Sequence, residues 1–262
     1  MIRPGQLRTV DLYRTPAHPC PYLPGRQAVN LFVDPSAALD PATYELLLMR
    51  GFRRSGDHVY RPGCPACRRC VPARIPVGAF RPKRSQRRVW AANAGRIRAL
   101  AREPELDPEH FELFHRYLAA RHRDGGMSEA GIEDYLGFLT AGWSDTRFVE
   151  LRDGDHLMAV AVTDHLPRAL SSVYTFFDPR DAHRSPGVYS ILWQIAEAKA
   201  LGKHWLYLGY WIPGCRKMDY KAEYRPVELR GTQGWRRIDR GESPGLPEAD
   251  PPDRLATDRR PG

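Results

Sequence analysis

The period of the apolar positions changes along the chain, and each change marks a different kind of element. Through residue 40, prolines and glycines interrupt every apolar run. Leu23-Pro24-Gly25-Arg26 has the composition of a turn, so this stretch reads as loop with short strands. Pro41 to Met49 carries Tyr44, Leu47 and Leu48 at helical spacing and predicts a short helix. Gly51–Arg54 and His58–Arg61 flank Ser55-Gly56-Asp57 and predict a hairpin. Val71 to Phe80 reads as extended, because Pro72 and Pro76 keep it off a helix. Ser85 to Arg98 suits a helix or irregular chain.

Pro108 to Arg123 predicts a longer helix, with Pro108 in its first turn and Phe111, Phe114, Tyr117 and Leu118 on one face. Gly125-Gly126 would stop it. Ile132 to Leu139 predicts a second helix. The period then shortens to that of strands: Thr146–Leu151, a turn at Asp153-Gly154, Leu157–Thr163 and Ser171–Phe177. Ser185 and Pro186 have the residue types of an N-cap and first helical position. Val188, Ile191, Leu192 and Ile195 continue that helix towards Gly202. Trp205–Tyr210 and Val227–Arg230 predict two more strands. From Asp239 onward prolines and acids predict a disordered tail. The order after residue 146 fits an α/β (α+β) acyltransferase core of the N-acetyltransferase (GNAT) type. The expected division is a basic cysteine-bearing domain over 1–100, the acyltransferase-like domain over 101–238 and the tail over 239–262.

Charge sharpens this picture. The chain of 262 residues has a formal net charge of +9. Between Arg50 and Arg98 stand 14 Lys or Arg and a single acid, Asp57. That window carries +13, so the rest of the chain sums to −4 and the basicity is local. A local cationic field selects polyanions such as nucleic acid. No apolar run reaches the ~18 residues of a membrane span. Nothing near Met1 has the apolar core of a signal peptide, so a cytoplasmic location with reduced or metal-bound thiols is expected.

Within the basic window lies Cys64-x-x-Cys67-x-x-Cys70; the other cysteines are Cys20 and Cys215. Thiolates in such spacing suit zinc or an iron–sulfur cluster, with Cys20 as the expected fourth ligand and Cys215, deep in the strand–helix region, as the weaker candidate. The neighbouring arginines are expected to lower the thiol pKa values.

Several strings together resemble one family. They are His18 to Arg26, Gly51 to Gly56 with Val59-Tyr60-Arg61-Pro62, the cysteine triplet with Arg74-Ile75-Pro76-Val77, Arg84 to Arg88, Tyr207 to Tyr210, and Cys215 to Lys221. The chain resembles the bacterial aspartate/glutamate leucyltransferases, related to eukaryotic arginyl-tRNA–protein transferases, from about residue 10 to 235. The resemblance implies leucine transfer from leucyl-tRNA to proteins beginning with Asp or Glu, in an N-degron pathway. It also makes metal binding by Cys20, Cys64, Cys67 and Cys70 plausible, although the cysteine pattern differs from that of the eukaryotic relatives.

The chemistry of that reaction is aminolysis of an activated ester. It needs orientation, oxyanion stabilisation and proton management, and no covalent nucleophile. Arg74, Lys83, Arg84, Arg87 and Arg88 are candidates for tRNA phosphate and for the acceptor carboxylate, with Arg74 and Arg87 favoured for the latter. Tyr174, Asp178 and Tyr210 fall at or near strand ends, where the cleft of such a fold opens. Asp178 would take a proton or hold the amine, though Asp178-Pro179 also has the composition of a turn. Lys217, Tyr220 and Lys221 would serve the tRNA 3′ end or the oxyanion. The turn before Gly187 has less glycine than coenzyme-A acetyltransferases carry, so no coenzyme A is expected. An arginine donor, a coenzyme-A acetyltransferase and a non-enzymatic metal-dependent tRNA-binding module are the alternatives.

Overall fold

A computed structural model describes residues 10–121 and 131–245. The short N-terminal strands are β1 (Leu12–Arg14), β2 (His18–Pro19), β3 (Gln27–Ala28) and β4 (Asn30–Val33). Then follow α1 (Pro41–Met49), β5 (Arg53–Ser55), β6 (His58–Pro62), β7 (Val71–Pro76), α2 (Arg84–Asn93) and β8 (Ile97–Arg102). The chain continues through α3 (Pro108–Arg121), α4 (Ile132–Leu139), β9 (Thr146–Asp153), β10 (His156–His165) and β11 (Ala169–Phe177). It closes with α5 (Pro186–Ala200), β12 (Trp205–Trp211), β13 (Val227–Gly231) and β14 (Gly234–Ile238).

Local chemistry explains where these elements begin. Asp40 caps α1: its Oδ1 accepts from Thr43 N at 2.6 Å, and Pro41 fills the first helical position. Asp107 does the same for α3, accepting from Glu109 N at 2.8 Å. In the β5–β6 hairpin Gly56 has φ +58, and a Cβ there would lie 2.0 Å from the Gly137 carbonyl oxygen of α4. Glycine is required both by the backbone and by that contact.

The strands form an eight-stranded sheet in the order β14-β13-β7-β12-β11-β10-β9-β8, a four-stranded sheet β1-β4-β6-β5, and the small pair β2-β3. Among the described residues only β11 and β12 run parallel. β10 is buried on both faces: Val160 and Val162 pack with Phe114, Tyr135 and Leu139 of α3 and α4, while Ala159 and Ala161 pack with Tyr189 of α5. This double covering explains why its sequence is a nearly continuous apolar run. A third cluster joins α1 and the smaller sheet, through Tyr44, Leu47 and Phe52, to Leu166, Ala169 and Tyr207 of the larger one. At its margin the Arg54 guanidinium and the Asp164 carboxylate form a fully buried ion pair at 2.7 Å.

Several expectations are refined. The line drawn at residue 100 cuts through the large sheet and does not separate it from the smaller one, because β7 lies between β12 and β13, and β8, which spans that line, forms the edge beside β9. Ser185 precedes α5 but makes no side-chain cap bond; its φ of +56 ends the preceding 3-10 turn, Pro179–Arg184, in the left-handed region. One residue thus terminates one helix and starts another, and the first role sets its backbone. Asp239 to Gly245 is held at the sheet edge, with Arg225 Nη1 donating to Asp239 O at 3.2 Å and Arg236 Nη2 to Pro244 O at 2.8 Å. The rest of the expected tail lies outside the described residues, as do the end of the α3 prediction at Arg123 and its glycine stop.

Candidate active site

The parallel pair that gives the large sheet its mixed character is short. β11 and β12 pair only over Ala169–Ser171 and Trp205–Tyr207, after which no pairing joins them. Opposite Tyr207 and Gly209 the register of β12 against β7 also slips. Strands that part leave backbone donors and acceptors without ladder partners, and a buried site must satisfy them otherwise. Two cations do so. Lys221 Nζ donates to Tyr210 O at 2.9 Å, and Arg53 Nη2 reaches Val173 O at 3.5 Å. Lys221 comes from the one-turn 3-10 segment Asp219–Glu223, and Arg53 from β5 of the smaller sheet.

Gly209 is the pivot. Its φ is +75, and a Cβ would meet Arg53 Nη1 at 3.1 Å and Lys221 Nζ at 3.8 Å. Tyr210 follows it, almost fully buried, and its hydroxyl is 3.0 Å from Gly51 O and 3.2 Å from Tyr60 O. The Tyr210 hydroxyl therefore ties β12 to the smaller sheet and is held protonated by burial.

Lys221 is only 5% exposed. Burial lowers its pKa well below the ordinary lysine range, and the Arg53 charge lowers it further; Cys215 and Cys70 act in the opposite sense. The amine is consequently a candidate neutral base. Burial works against the charge of half-buried Arg53, the Tyr60, Tyr22 and Tyr210 phenols around it act in the opposite sense, and the net direction is upward, so the guanidinium stays charged.

Beside this nest lies a cavity of about 330 Å³, lined in part by Tyr60, Tyr210 and all four candidate metal-ligating cysteines. Cys70 is pushed up to about 12 by burial, with further contributions from Cys64, Cys20 and Cys67. The expectation that nearby arginines lower the thiol pKa values therefore fails at Cys70. The reason is geometric: Arg68 donates to the backbone oxygens of Cys64 and Cys67, and Arg69 to Pro213 O. Cys64 Sγ accepts from Val29 N at 3.4 Å. Among the described residues only Asp107, His110 and Glu150 gather three potential ligand atoms within 4.8 Å of one another. The thiols share one cavity, but among the described residues no three of them bring their sulfurs within 4.8 Å of one another, against the roughly 3.8 Å between sulfurs of a tetrahedral zinc–thiolate centre. In this arrangement they do not fit a closed metal site. The acidic trio is already served by cations, since Glu150 accepts from Arg152 Nε at 2.8 Å and lies 3.3 Å from Arg102 Nε.

Sequence comparison adds to this geometry. Family models for the arginine-tRNA-protein transferase N terminus and C terminus match residues 18–88 and 109–231. An aspartate/glutamate leucyltransferase of Nitrosococcus oceani is 52% identical over 86% of this chain and 94% of that protein. Another, of Pseudomonas fluorescens, is 48% identical over 88% and 97%. This chain belongs to the aspartate/glutamate leucyltransferase family. Among solved structures, L-PGS of Bacillus licheniformis has a TM-score of 0.43 at 12% identity, covering 68% of this chain and 52% of that one.

Of the residues singled out in this family member by sequence, the fold brings Tyr210 and Lys221 together beside Gly209. Tyr220 is 45% exposed beside them, with Lys221 Nζ 5.9 Å from its ring centre. Lys217 is exposed on the segment between β12 and Lys221. Tyr174 sits instead among aromatics, against Phe138 at 5.2 Å and Tyr117 at 6.2 Å. Asp178 caps the 3-10 turn through Arg180 N and is paired with Arg180 at 2.6 Å and Arg116 at 3.4 Å. Its hydrogen bonds from Arg180 lower its pKa to about 2, despite burial. A carboxylate held this firmly ionised is a poor proton acceptor, and the turn role suits it.

Arg74 already has a carboxylate. Its Nε donates to Glu228 at 2.6 Å and its Nη1 to the Tyr207 hydroxyl at 3.0 Å. Its guanidinium lies between Trp205 and Trp235, 4.1 and 4.2 Å from the ring centres. Lys83 pairs with Glu223, and Arg87 Nη1 donates to Pro82 O at 2.8 Å. Arg84, Arg87 and Arg88 stand exposed on α2, away from the Arg53–Lys221 nest in sequence and placed for a polyanion rather than a buried carboxylate. Sequence reasoning quoted the string containing Arg53 but gave it no role. The signal was present only as one arginine of an Arg-Arg pair, whose partner Arg54 is structural.

Proposed function

We propose that this protein transfers leucine from leucyl-tRNA to the α-amine of proteins whose first residue is Asp or Glu. The observation that carries the reading is the near full-length identity, about half of all aligned positions, to proteins named for that activity. The cleft supports it. The wedge between β11 and β12 opens to a half-buried guanidinium and a buried amine, which is where an anionic substrate with an attacking amine would lie. As the α-amine attacks the ester carbonyl it must lose a proton, and neutral Lys221 takes it. The Lys221 ammonium so formed returns that proton to the departing ester oxygen of the terminal ribose, and no covalent enzyme intermediate forms.

The parallel strands that part, the register slip beside Gly209 and the helix that follows β11 support a GNAT-type core. The smaller sheet with the cysteine segment supports an accessory N-terminal unit that ends before β7, short of the expected boundary at residue 100. The exposed arginines Arg84, Arg87 and Arg88, with Lys83, would follow the acceptor arm of the tRNA. No helix is long and apolar enough to cross a membrane among the described residues, and a cytoplasmic site of action accords with a tRNA substrate. Binding of zinc or an iron–sulfur cluster would require Cys20 and the 64–70 segment to draw together. Metal analysis and an absorbance spectrum of protein purified without oxygen test that reading, and no step of the transfer is routed through a metal.

The deciding experiment mixes the protein with leucyl-tRNA or arginyl-tRNA and peptides beginning with Asp, Glu or Ala. Leucine on the Asp and Glu peptides alone is expected. Arginine in its place would move the protein to the arginyl class. Acetyl transfer from acetyl-coenzyme A, or tRNA binding without transfer, would replace the reading altogether.

A further inference from the structure

We infer that Arg53 is the specificity-determining residue of the acceptor site, receiving the side-chain carboxylate of the N-terminal Asp or Glu in the wedge between β11 and β12. This rests on the leucyl-transfer reading and names the group that makes it selective.

Five other arginines that reach into the fold already hold a carboxylate. Arg54 is matched by Asp164, Arg74 by Glu228, Arg116 by Asp178, Arg152 by Glu150 and Arg184 by Asp153. Arg53 has no carboxylate within ion-pair distance among the described residues; the one hydrogen bond of its side chain is the long contact to Val173 O. The groups nearest its charge are the phenols of Tyr60, Tyr22 and Tyr210 and the Lys221 amine. A half-buried guanidinium without an anion is costly to maintain, and an incoming carboxylate offsets that cost. Its planar fork suits a carboxylate in two-point contact.

Both side chains converge on the position a Gly209 Cβ would take, Arg53 Nη1 at 3.1 Å and Lys221 Nζ at 3.8 Å, so the two groups stand side by side. In an N-terminal Asp the carboxyl carbon is three bonds from the α-nitrogen. A carboxylate seated on Arg53 therefore delivers the amine beside Lys221, which is the proton acceptor of the proposed reaction. Glu, one methylene longer, keeps the same pairing by folding its side chain. An N-terminal Asn or Gln has the same shape but leaves Arg53 without its counter-charge.

The test measures leucine transfer from leucyl-tRNA to four peptides identical except for N-terminal Asp, Asn, Glu or Gln. The wild-type protein is compared with Arg53→Gln and Arg53→Lys. In the wild type, Asp should exceed Asn by about 30-fold or more in kcat/KM, carried mainly by KM. Arg53→Gln should bring Asp down to the Asn level while Asn hardly changes. Arg53→Lys, which keeps the charge but loses the fork, should restore part of the ratio. An Arg53→Gln variant that keeps the Asp-to-Asn ratio, or loses both peptides equally, overturns the inference. If that variant does not fold, Arg53→Lys decides alone: an unchanged ratio overturns the assignment and a reduced one supports it. Absence of transfer to any peptide by the wild type would instead sink the leucyl-transfer reading.

Discussion

Replacing Arg74 with Met separates a structural clamp from a substrate contact. The wild-type guanidinium is bonded to Glu228 at 2.6 Å, with side chains 8% and 17% exposed. A charge-assisted hydrogen bond of this kind contributes about 1.5–3 kcal/mol. The two indole faces at 4.1 and 4.2 Å each add about 0.5–2 kcal/mol, towards the upper end where water is excluded. Met keeps the apolar stem and some contact with the rings, so these contributions are not all lost. A net destabilisation of about 3 kcal/mol is expected from the loss of the ion pair and part of the stacking. For a chain of this size that lowers Tm by about 6–12 °C. Circular dichroism melts give the shift, and transfer assays on Asp and Asn peptides at a temperature where the variant is folded give its selectivity. Arg74→Met should retain the preference for Asp. A Tm within 2 °C of wild type, or a selective loss of acidic acceptors in a stable variant, would refute the clamp and return Arg74 to the substrate site.

Lys221→Met should abolish most transfer yet raise stability at neutral pH. Lys221 titrates well below its ordinary range in the fold and near ~10.4 when unfolded, so the wild type gains stability as pH rises between those values. The variant's advantage should shrink accordingly towards pH ~10.4, and denaturant titrations at pH 7 and 10 check the trend. Asp164→Asn leaves buried Arg54 without its anion and should cost about 3–5 kcal/mol, read by the same titrations; the double replacement Arg54→Met with Asp164→Leu should recover much of it. Gly209→Ala places a methyl against Arg53 in a left-handed backbone, so a cost of about 1–2 kcal/mol is expected together with a larger fall in kcat/KM.

Periodicity alone determined most of the elements. The spacing of Tyr44, Leu47 and Leu48 located α1, the Ser55-Gly56-Asp57 turn located its hairpin, and alternation after residue 146 located β9 to β11. These are local properties, fixed by side chains a few residues apart. β8 and β14 escaped, because edge strands are half solvated and Ile97-Arg98-Ala99-Leu100 has no strong pattern of its own. The sequence also determined the family, since ordered strings such as Gly51 to Gly56 and Cys215 to Lys221 hold whatever the fold. What it did not distinguish is which arginines are already paired. Arg53 and Arg54 are neighbours in the chain, but strand alternation sends one to Asp164 and the other to the gap beside Gly209. Arg74 read as a free cation because Glu228 lies 154 positions away and Trp235 still further along the chain. Burial and long-range charge pairing decide which cations are spent on the fold and which remain for a substrate, and only the tertiary structure sets both.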